Sequence, residues 1–260
     1  MHRPRERWED VVEPDGKQPS DPVTGDPVVR GSAINGILAR LPPRELAAFT
    51  VAARPFRAPK GQLLAAPGTT SAAIFPIRGL ISLGLTDERG ETMTVDVVGR
   101  EGMAGLWLYL DDVPTPYLVS ALVPLAGWLI DAGALRRVAA PGTTLATLLG
   151  RYAQYRLALR AHLMHCNRTH ELTPRLARFL DGCARASGSA ELELSHEDLA
   201  SGVGAHRPAV TDALHRLAAL GAVRSGRRLV EVSSPAGLQA AACTCAATIA
   251  ELQERFDRPD

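Results

Sequence analysis

Arg207, Arg224, Arg227 and Arg228 are the side chains of this sequence best suited to work on a polyanion. A guanidinium is always charged and presents a planar fork of donors, which fits a phosphate or the O6/N7 edge of guanine. Around Arg207 lie His206, Pro208, Thr211, Asp212 and His215, spaced to share one polar helix face. Asp212 on that face could accept from a cytosine amino group. Ser195 stands at the start of the same stretch. Between Ala205 and Arg228 there are five arginines and a single acid, Asp212, whereas the whole chain carries a formal net charge of only +1. Polyanion contact is therefore expected at a patch and not over the whole surface. The plainer alternative is a small helical domain whose basic rim is simply solvated.

Metal and redox chemistry is the second possibility that the residue types raise. Cys166, Cys183, Cys243 and Cys245 all fall in the C-terminal half at irregular spacing, which in a cytosolic chain is read most simply as reduced thiols. Cys243 and Cys245, two apart on a helix, would point to different faces, so no joint metal or redox role is expected of them. His162 and Cys166 are four apart on one face and could share a metal, but a helix seam with polar register-setting residues explains them equally well. No metal and no cofactor is expected. Glu101 and His165 are titratable, yet no Ser/His/Asp order, metal pair or phosphate loop gathers such groups into a catalytic site, so an enzyme is not expected.

The elements that would position the arginines can be read from Ser195 to Val232. Ser195 followed by Asp198 is a helix-start signature, Leu199, Ala200 and Val203 give that helix a buried side, and Gly204 can leave it at positive φ. A second helix, at about 206–220, packs Val210, Ala213, Leu214, Leu217 and Gly221 on one side and opens the Arg207 face on the other. Its first residues are placed as they are in a helix that enters a major groove. Ala222 to Val232 then reads as a hairpin with Ser225-Gly226 at its turn and Arg227-Arg228 at its tip. The whole is a helix-turn-helix with a basic wing.

Upstream, 260 residues with 46% apolar content allow two modest cores. Residues 1–32 have almost no apolar periodicity and read as a disordered extension carrying Trp8. Ile34 to Leu41 suggests a short amphipathic helix, broken by Pro42-Pro43 before Glu45 to Phe49 resumes. From about Val51 to Ile130, short apolar runs separated by Gly and Pro suggest a β-roll or jelly roll, a first domain over 33–142. A long helix over 143–170 follows. Its stripe of Leu145, Leu148, Tyr152, Tyr155, Leu159, His162 and Cys166, broadened by Leu149, Arg156 and Leu163, reads as a dimer seam. A winged helix-turn-helix domain over 171–260 completes an α+β chain. No run reaches the eighteen apolar residues of a membrane span and MHRPRERWED lacks the apolar core of a secretion signal, so a cytoplasmic location is expected.

A roll, a seam helix and a C-terminal winged helix-turn-helix in this order resemble the Crp/Fnr family of bacterial transcription regulators. The resemblance spans about 34–245. Its most specific parts are Gly99-Arg100-Glu101-Gly102-Met103-Ala104-Gly105, Asn167-Arg168 with Arg175-Leu176-Ala177-Arg178, and the winged segment. It implies a homodimer whose roll senses a small-molecule signal and whose paired recognition helices read a palindromic site in double-stranded DNA. RNA polymerase is a partner open to such a protein. In the family's cyclic-nucleotide sensors a Gly-Glu pair holds the ribose and an Arg-Ser pair clamps the phosphate. Here Leu106 follows Gly105, and Pro116-Tyr117 falls where the arginine belongs. Cyclic AMP or GMP is therefore not the expected effector, and the effector stays unknown.

The roll also lacks the cysteines that hold an iron-sulfur cluster in the family's oxygen sensors, and His2 is the only histidine before residue 160. In the best-known recognition pattern of the family an Arg-Glu pair and a second Arg read bases. Arg207 matches the first, while Pro208 and Asp212 replace the others, so a different operator is implied. Two function classes remain: a sequence-specific DNA-binding regulator, of either sign, or a ligand-sensing or scaffold protein that acts through protein partners.

Overall fold

Asn35 shapes the beginning of the described chain. Its buried side-chain oxygen accepts from the N–H groups of Ile37 (3.0 Å) and Leu38 (3.4 Å), while its amide donates to Pro76 O (2.9 Å) and Gly102 O (2.6 Å). Those contacts cap a turn that cannot extend, because Leu41 before Pro42 is held extended, so the short helix expected before Pro42 reduces to one 3-10 turn, Leu38–Arg40. The computed structural model describes residues 35–258 except Thr70, Ser71 and Asp112, so the expected extension over 1–32 lies outside the described residues. Pro43, at a position where the missing N–H costs nothing, begins helix α1 (Pro43–Ala52).

The roll follows as strands β1 (Arg54–Ala58), β2 (Leu63–Ala65), β3 (Ala73–Thr86) and β4 (Thr92–Val98), helix α2 (Leu106–Leu110), strand β5 (Leu118–Ile130) and helix α3 (Ala132–Val138). The sheet order is β1-β5-β3-β4, with β2 also paired to β5. β1 runs antiparallel to β5 from Arg54↔Leu129 to Ala58↔Leu125. Phe56, Leu64, Ile81, Val119 and Leu129 are among the side chains that close its core.

Two glycines that the sequence offers as turn signals lie inside strands instead. Ile74 to Leu83 is continuous through Gly79, and Leu118 to Ile130 is continuous through Gly127. A Cβ at Gly79 would lie 2.1 Å from Pro124 O, and one at Gly127 would lie 2.3 Å from Phe75 O. These glycines mark the close approach of β3 and β5, not breaks between strands.

Helix α4 (Thr144–Thr169) follows, then α5 (Leu172–Ser187), β6 (Glu191–Leu192), α6 (His196–Val203), α7 (Arg207–Ala219), β7 (Val223–Ser225), β8 (Val230–Val232), α8 (Pro235–Ala241) and α9 (Cys245–Asp257). The chain divides into two compact units. The first runs to Leu83 and resumes over Val98–Leu149, and the second combines Gly84–Val97 with Gly150–Asp260. Glu45 of α1 caps α4, accepting from Thr144 N–H (3.0 Å) and Leu145 N–H (3.1 Å). Burial alone would push the Glu45 carboxyl up, but these two N–H groups outweigh it and hold it below its ordinary value. Among the described residues no helix is long and apolar enough to cross a membrane.

The stripe read as a dimer seam turns inward. Leu145, Leu148, Leu149, Tyr152, Tyr155, Leu159 and Cys166 are buried within the chain itself, and His162 is half-buried. In the second unit Tyr155 stacks on Phe256 of α9 (ring centroids 5.2 Å, planes 12° apart), and Tyr152 lies 5.6 Å from the same ring. The helix α9 that uses this stripe was not signalled by any cap or strong period in the sequence. It begins at Cys245 with Thr244 as its N-cap, so Cys243 lies before the helix and Cys245 is its first residue. The helical spacing that separated their side chains does not apply to them.

Arg156, also on the inward stripe, is only 4% exposed, and so is its partner Asp96 on β4. The Arg156 guanidinium donates to the Asp96 carboxylate and to Val97 O (3.0 Å), and Arg160 reaches the other carboxylate oxygen through Nε (2.9 Å) and Nη2 (2.8 Å). Burial would raise the Asp96 carboxyl, but the two guanidinium charges and their hydrogen bonds hold it below its ordinary value. Asp96→Ala leaves a buried cation without a counter-charge and is expected to cost about 3–5 kcal/mol in urea unfolding. Asp96→Ala/Arg156→Met, which removes both charges, should recover much of that loss, and equal stability of the single and double variants would count against the assignment.

Candidate nucleic-acid interface

Ser195 and Asp198 form the expected capping box. Asp198 N–H donates to Ser195 Oγ (3.1 Å), and Ser195 N–H donates back to Asp198 Oδ2 (2.7 Å). The Ser195 hydroxyl also donates to that carboxylate at 2.8 Å, so this side chain is engaged in starting α6. At the other end Gly204 takes φ +60°, turning the chain towards α7. Arg175 of α5 locks the corner, donating to Asn167 O (2.7 Å) and to Val203 O (2.6 Å), the last residue of α6. A cation at a helix C-terminus also complements the helix dipole.

Helix α7 buries Val210, Ala213, Leu214 and Leu217, as their spacing requires. It packs against α5 and α6. Pro208 occupies its first turn, and His206 is its N-cap residue without a side-chain cap bond. The opposite side leaves His206, Arg207, Pro208, Asp212 and His215 exposed and Thr211 half-buried, so all six lie off the packed face. Arg216 is exposed as well and adds a fifth arginine to the basic patch.

The wing forms where expected. β7 and β8 pair antiparallel with Arg224 opposite Glu231, and β6 adds to the far edge of β8 through Glu191↔Glu231 and Leu192↔Val230. Arg224 uses that register to donate to Glu231 Oε1 at 2.9 Å. One wing arginine is thus partly committed to the hairpin itself. Arg227 and Arg228 stand exposed between the strands.

His196 is the site residue that sequence reasoning missed. It is the first residue of α6, and its Nδ1 lies 2.8 Å from Thr211 Oγ1 on α7, while Nε2 lies 3.4 Å from Ser225 Oγ on β7. The Thr211 hydroxyl also stands 3.1 Å from Arg207 O, to which it can donate. A single imidazole thereby joins the three elements that would face a ligand. Only its place at the start of α6, fifteen residues before Thr211, could have signalled it.

Desolvation, with help from the Arg207 and His215 charges, depresses the His196 pKa below 6.5. Elsewhere in this unit burial, with the Cys166 sulfur beside it, pushes the Cys243 thiol up. In the first unit Trp107 and Tyr117 pack against the roll core with ring centroids 5.6 Å apart.

The Crp-like helix-turn-helix domain family matches residues 174–241. Those residues form a Crp-like helix-turn-helix domain. No curated protein matches the chain. Among solved structures it is similar to FixK2 of Bradyrhizobium japonicum, at 17% identity and TM-score 0.63 over 74% of this chain and 98% of that one. It is also similar to a Crp/Fnr family transcriptional regulator of Thermus thermophilus, at 22% identity and TM-score 0.56 over 77% and 98%. A third is the c-di-GMP-responsive global regulator CLP of Xanthomonas campestris, at 16% identity and TM-score 0.55 over 74% and 99%. The chain therefore has the mixed α and β fold of Crp/Fnr-type transcriptional regulators, with its helix-turn-helix at the C-terminal end.

A depressed histidine pKa has a definite consequence for stability. The folded chain binds the His196 proton less readily than the unfolded chain, so this group's contribution is complete above about pH 6.5 and is lost as pH falls through the folded value. The melting temperature is expected to drop between about pH 7.5 and about pH 5.5. His196→Gln should make that drop shallower, as scanning calorimetry at matched ionic strength would show.

Proposed function

We propose that this chain is a cytoplasmic, dimeric, sequence-specific DNA-binding transcription regulator that lays α7 in the major groove. The observation that carries the reading is the exposed Arg207 face of α7, held in register with the wing by His196. Arg207 at the first turn reads a guanine edge, and Asp212 accepts from a cytosine amino group. Arg227 and Arg228 at the wing tip contact phosphates, with Arg224 joining them when it leaves Glu231. His206, Thr211 and His215 complete the polar face, and Ser195 supports it through the cap.

The dimer forms on the outer side of α4. Gly150, Gln154, Leu157, Ala161 and Met164 repeat at four- and three-residue steps and are all exposed, Leu157 at 72% and Met164 at 74%. This is a seam pattern with apolar residues left in water, on the side away from the buried stripe. Paired chains would set their recognition helices about 34 Å apart, reading half-sites one turn apart in a palindrome. The roll's effector is not a cyclic nucleotide, a reading supported by Tyr117, packed against Trp107, near the position where the resemblance puts a phosphate-binding arginine.

Selection of binding sites from random duplexes, followed by gel shifts on the recovered palindrome, tests the reading. Arg207→Ala is expected to cost about 1–3 kcal/mol at one base position and to relax specificity there. Arg227→Ala/Arg228→Ala should weaken all sequences alike and flatten the salt dependence. Weak binding indifferent to sequence would overturn it. Leu157→Glu/Met164→Glu should convert dimer to monomer in sedimentation while each chain keeps its helical circular dichroism, because both side chains are exposed in the single chain.

A further inference from the structure

Three of the four cysteines converge with a histidine. The ligand atoms of Cys166, His170, Cys243 and Cys245 all lie within 4.8 Å of one another, with the three cysteines buried and the histidine half-buried. Cys166 is on the last turn of α4, and His170 follows one residue beyond the helix end, its N–H still donating to Cys166 O (3.1 Å) so that both side chains keep one face. Cys243 comes from the turn before α9, and Cys245 is the first residue of that helix. Cys243 N–H donates to Pro174 O (3.3 Å), and Ala246 N–H donates to Cys243 O (2.9 Å), which holds that turn against the start of α5. Cys166 Sγ lies 3.4 Å from Cys243 Sγ, and Cys245 Sγ lies 3.6 Å from His170 Nδ1.

We propose that these four residues are a structural metal site that takes one tetrahedral zinc ion. Zinc bonds to sulfur at about 2.3 Å and to nitrogen at about 2.0–2.1 Å. Four tetrahedral ligands at those lengths stand about 3.8 Å apart for two sulfurs and about 3.5 Å apart for sulfur and nitrogen. The observed separations are close to both, although the two pairs come from segments more than seventy residues apart in sequence. Three thiolates with one imidazole form a closed soft-ligand set that leaves no open position for a substrate, as structural zinc requires.

Two other readings fit less well. A disulfide needs sulfurs at about 2.05 Å, and it would leave Cys245 and His170 without a role. Thiols used only as small apolar side chains would be interleaved with aliphatic residues. Here Cys166, Cys243 and Cys245 make up a core cluster by themselves. The ion would fasten the α8–α9 turn to the end of α4, so that α9 is held at its first residue by metal and near its end by the stacking of Phe256 on Tyr155.

The test is metal analysis of the full chain, purified without a histidine tag. About one zinc per chain is expected in the unsubstituted protein, falling at least tenfold in Cys166→Ser and in Cys245→Ser, while Cys183→Ser keeps its metal. Because the serine variants could simply misfold, the unsubstituted protein is also exchanged with cobalt. A tetrahedral cobalt–thiolate spectrum, displaced stoichiometrically by zinc, is expected. A metal-free protein with four titratable thiols, a Cys166–Cys243 disulfide, or iron with inorganic sulfide would each overturn the proposal. None of these outcomes depends on DNA binding.

Discussion

A buried guanidinium has to be neutralised before the apolar residues around it can close, and in the second unit Asp96 does this for Arg156. The long helix α4 therefore has two sides of different character. Inward it presents tyrosines, leucines and one arginine whose charge is matched by a carboxylate sixty residues earlier. Outward it keeps glycine, alanine, leucine and methionine in water. Removing Asp96 alone would leave the Arg156 guanidinium stranded where solvent cannot reach it, which is why the carboxylate behaves as a condition for packing more than as an added attraction.

The winged helix-turn-helix was legible because its determinants are local. Ser195 and Asp198 are three residues apart, Gly204 does what glycine alone does cheaply, and the packed face of α7 repeats within a few turns. The roll was legible as a class but not in its strand limits. Gly79 and Gly127 look like punctuation in one dimension, whereas in three they are where β3 and β5 come too close for a Cβ. The inward stripe of α4 shows a similar limit. Periodicity says that a helix has an apolar face, but not whether the partner is a second copy or a helix from the same chain.

Non-local chemistry was illegible for a plain reason. Asp96 and Arg156 are sixty positions apart and Cys166 and Cys243 seventy-seven, so no spacing rule connects them. The cysteine pair was also misplaced by an assumption about local structure. Two residues apart in a helix diverge, but a residue just before a helix and the first residue inside it can converge. His196 is an intermediate case, since it belongs to the same motif as Thr211 yet meets it only once α6 and α7 cross.

The hairpin tip between β3 and β4 gives the second unit a discontinuous sequence. Residues 84–97 are counted with it, and they supply Asp96 as well as Thr94, whose N–H donates to Ser201 Oγ of α6 at 2.9 Å. An excised C-terminal fragment, however neatly cut before α4, would contain Arg156 and Arg160 without their counter-ion and α6 without that hydrogen bond. The DNA-binding half is thus not a portable module in this chain. Gene fusions or truncations that treat it as one would inherit an uncompensated cation in place of a core.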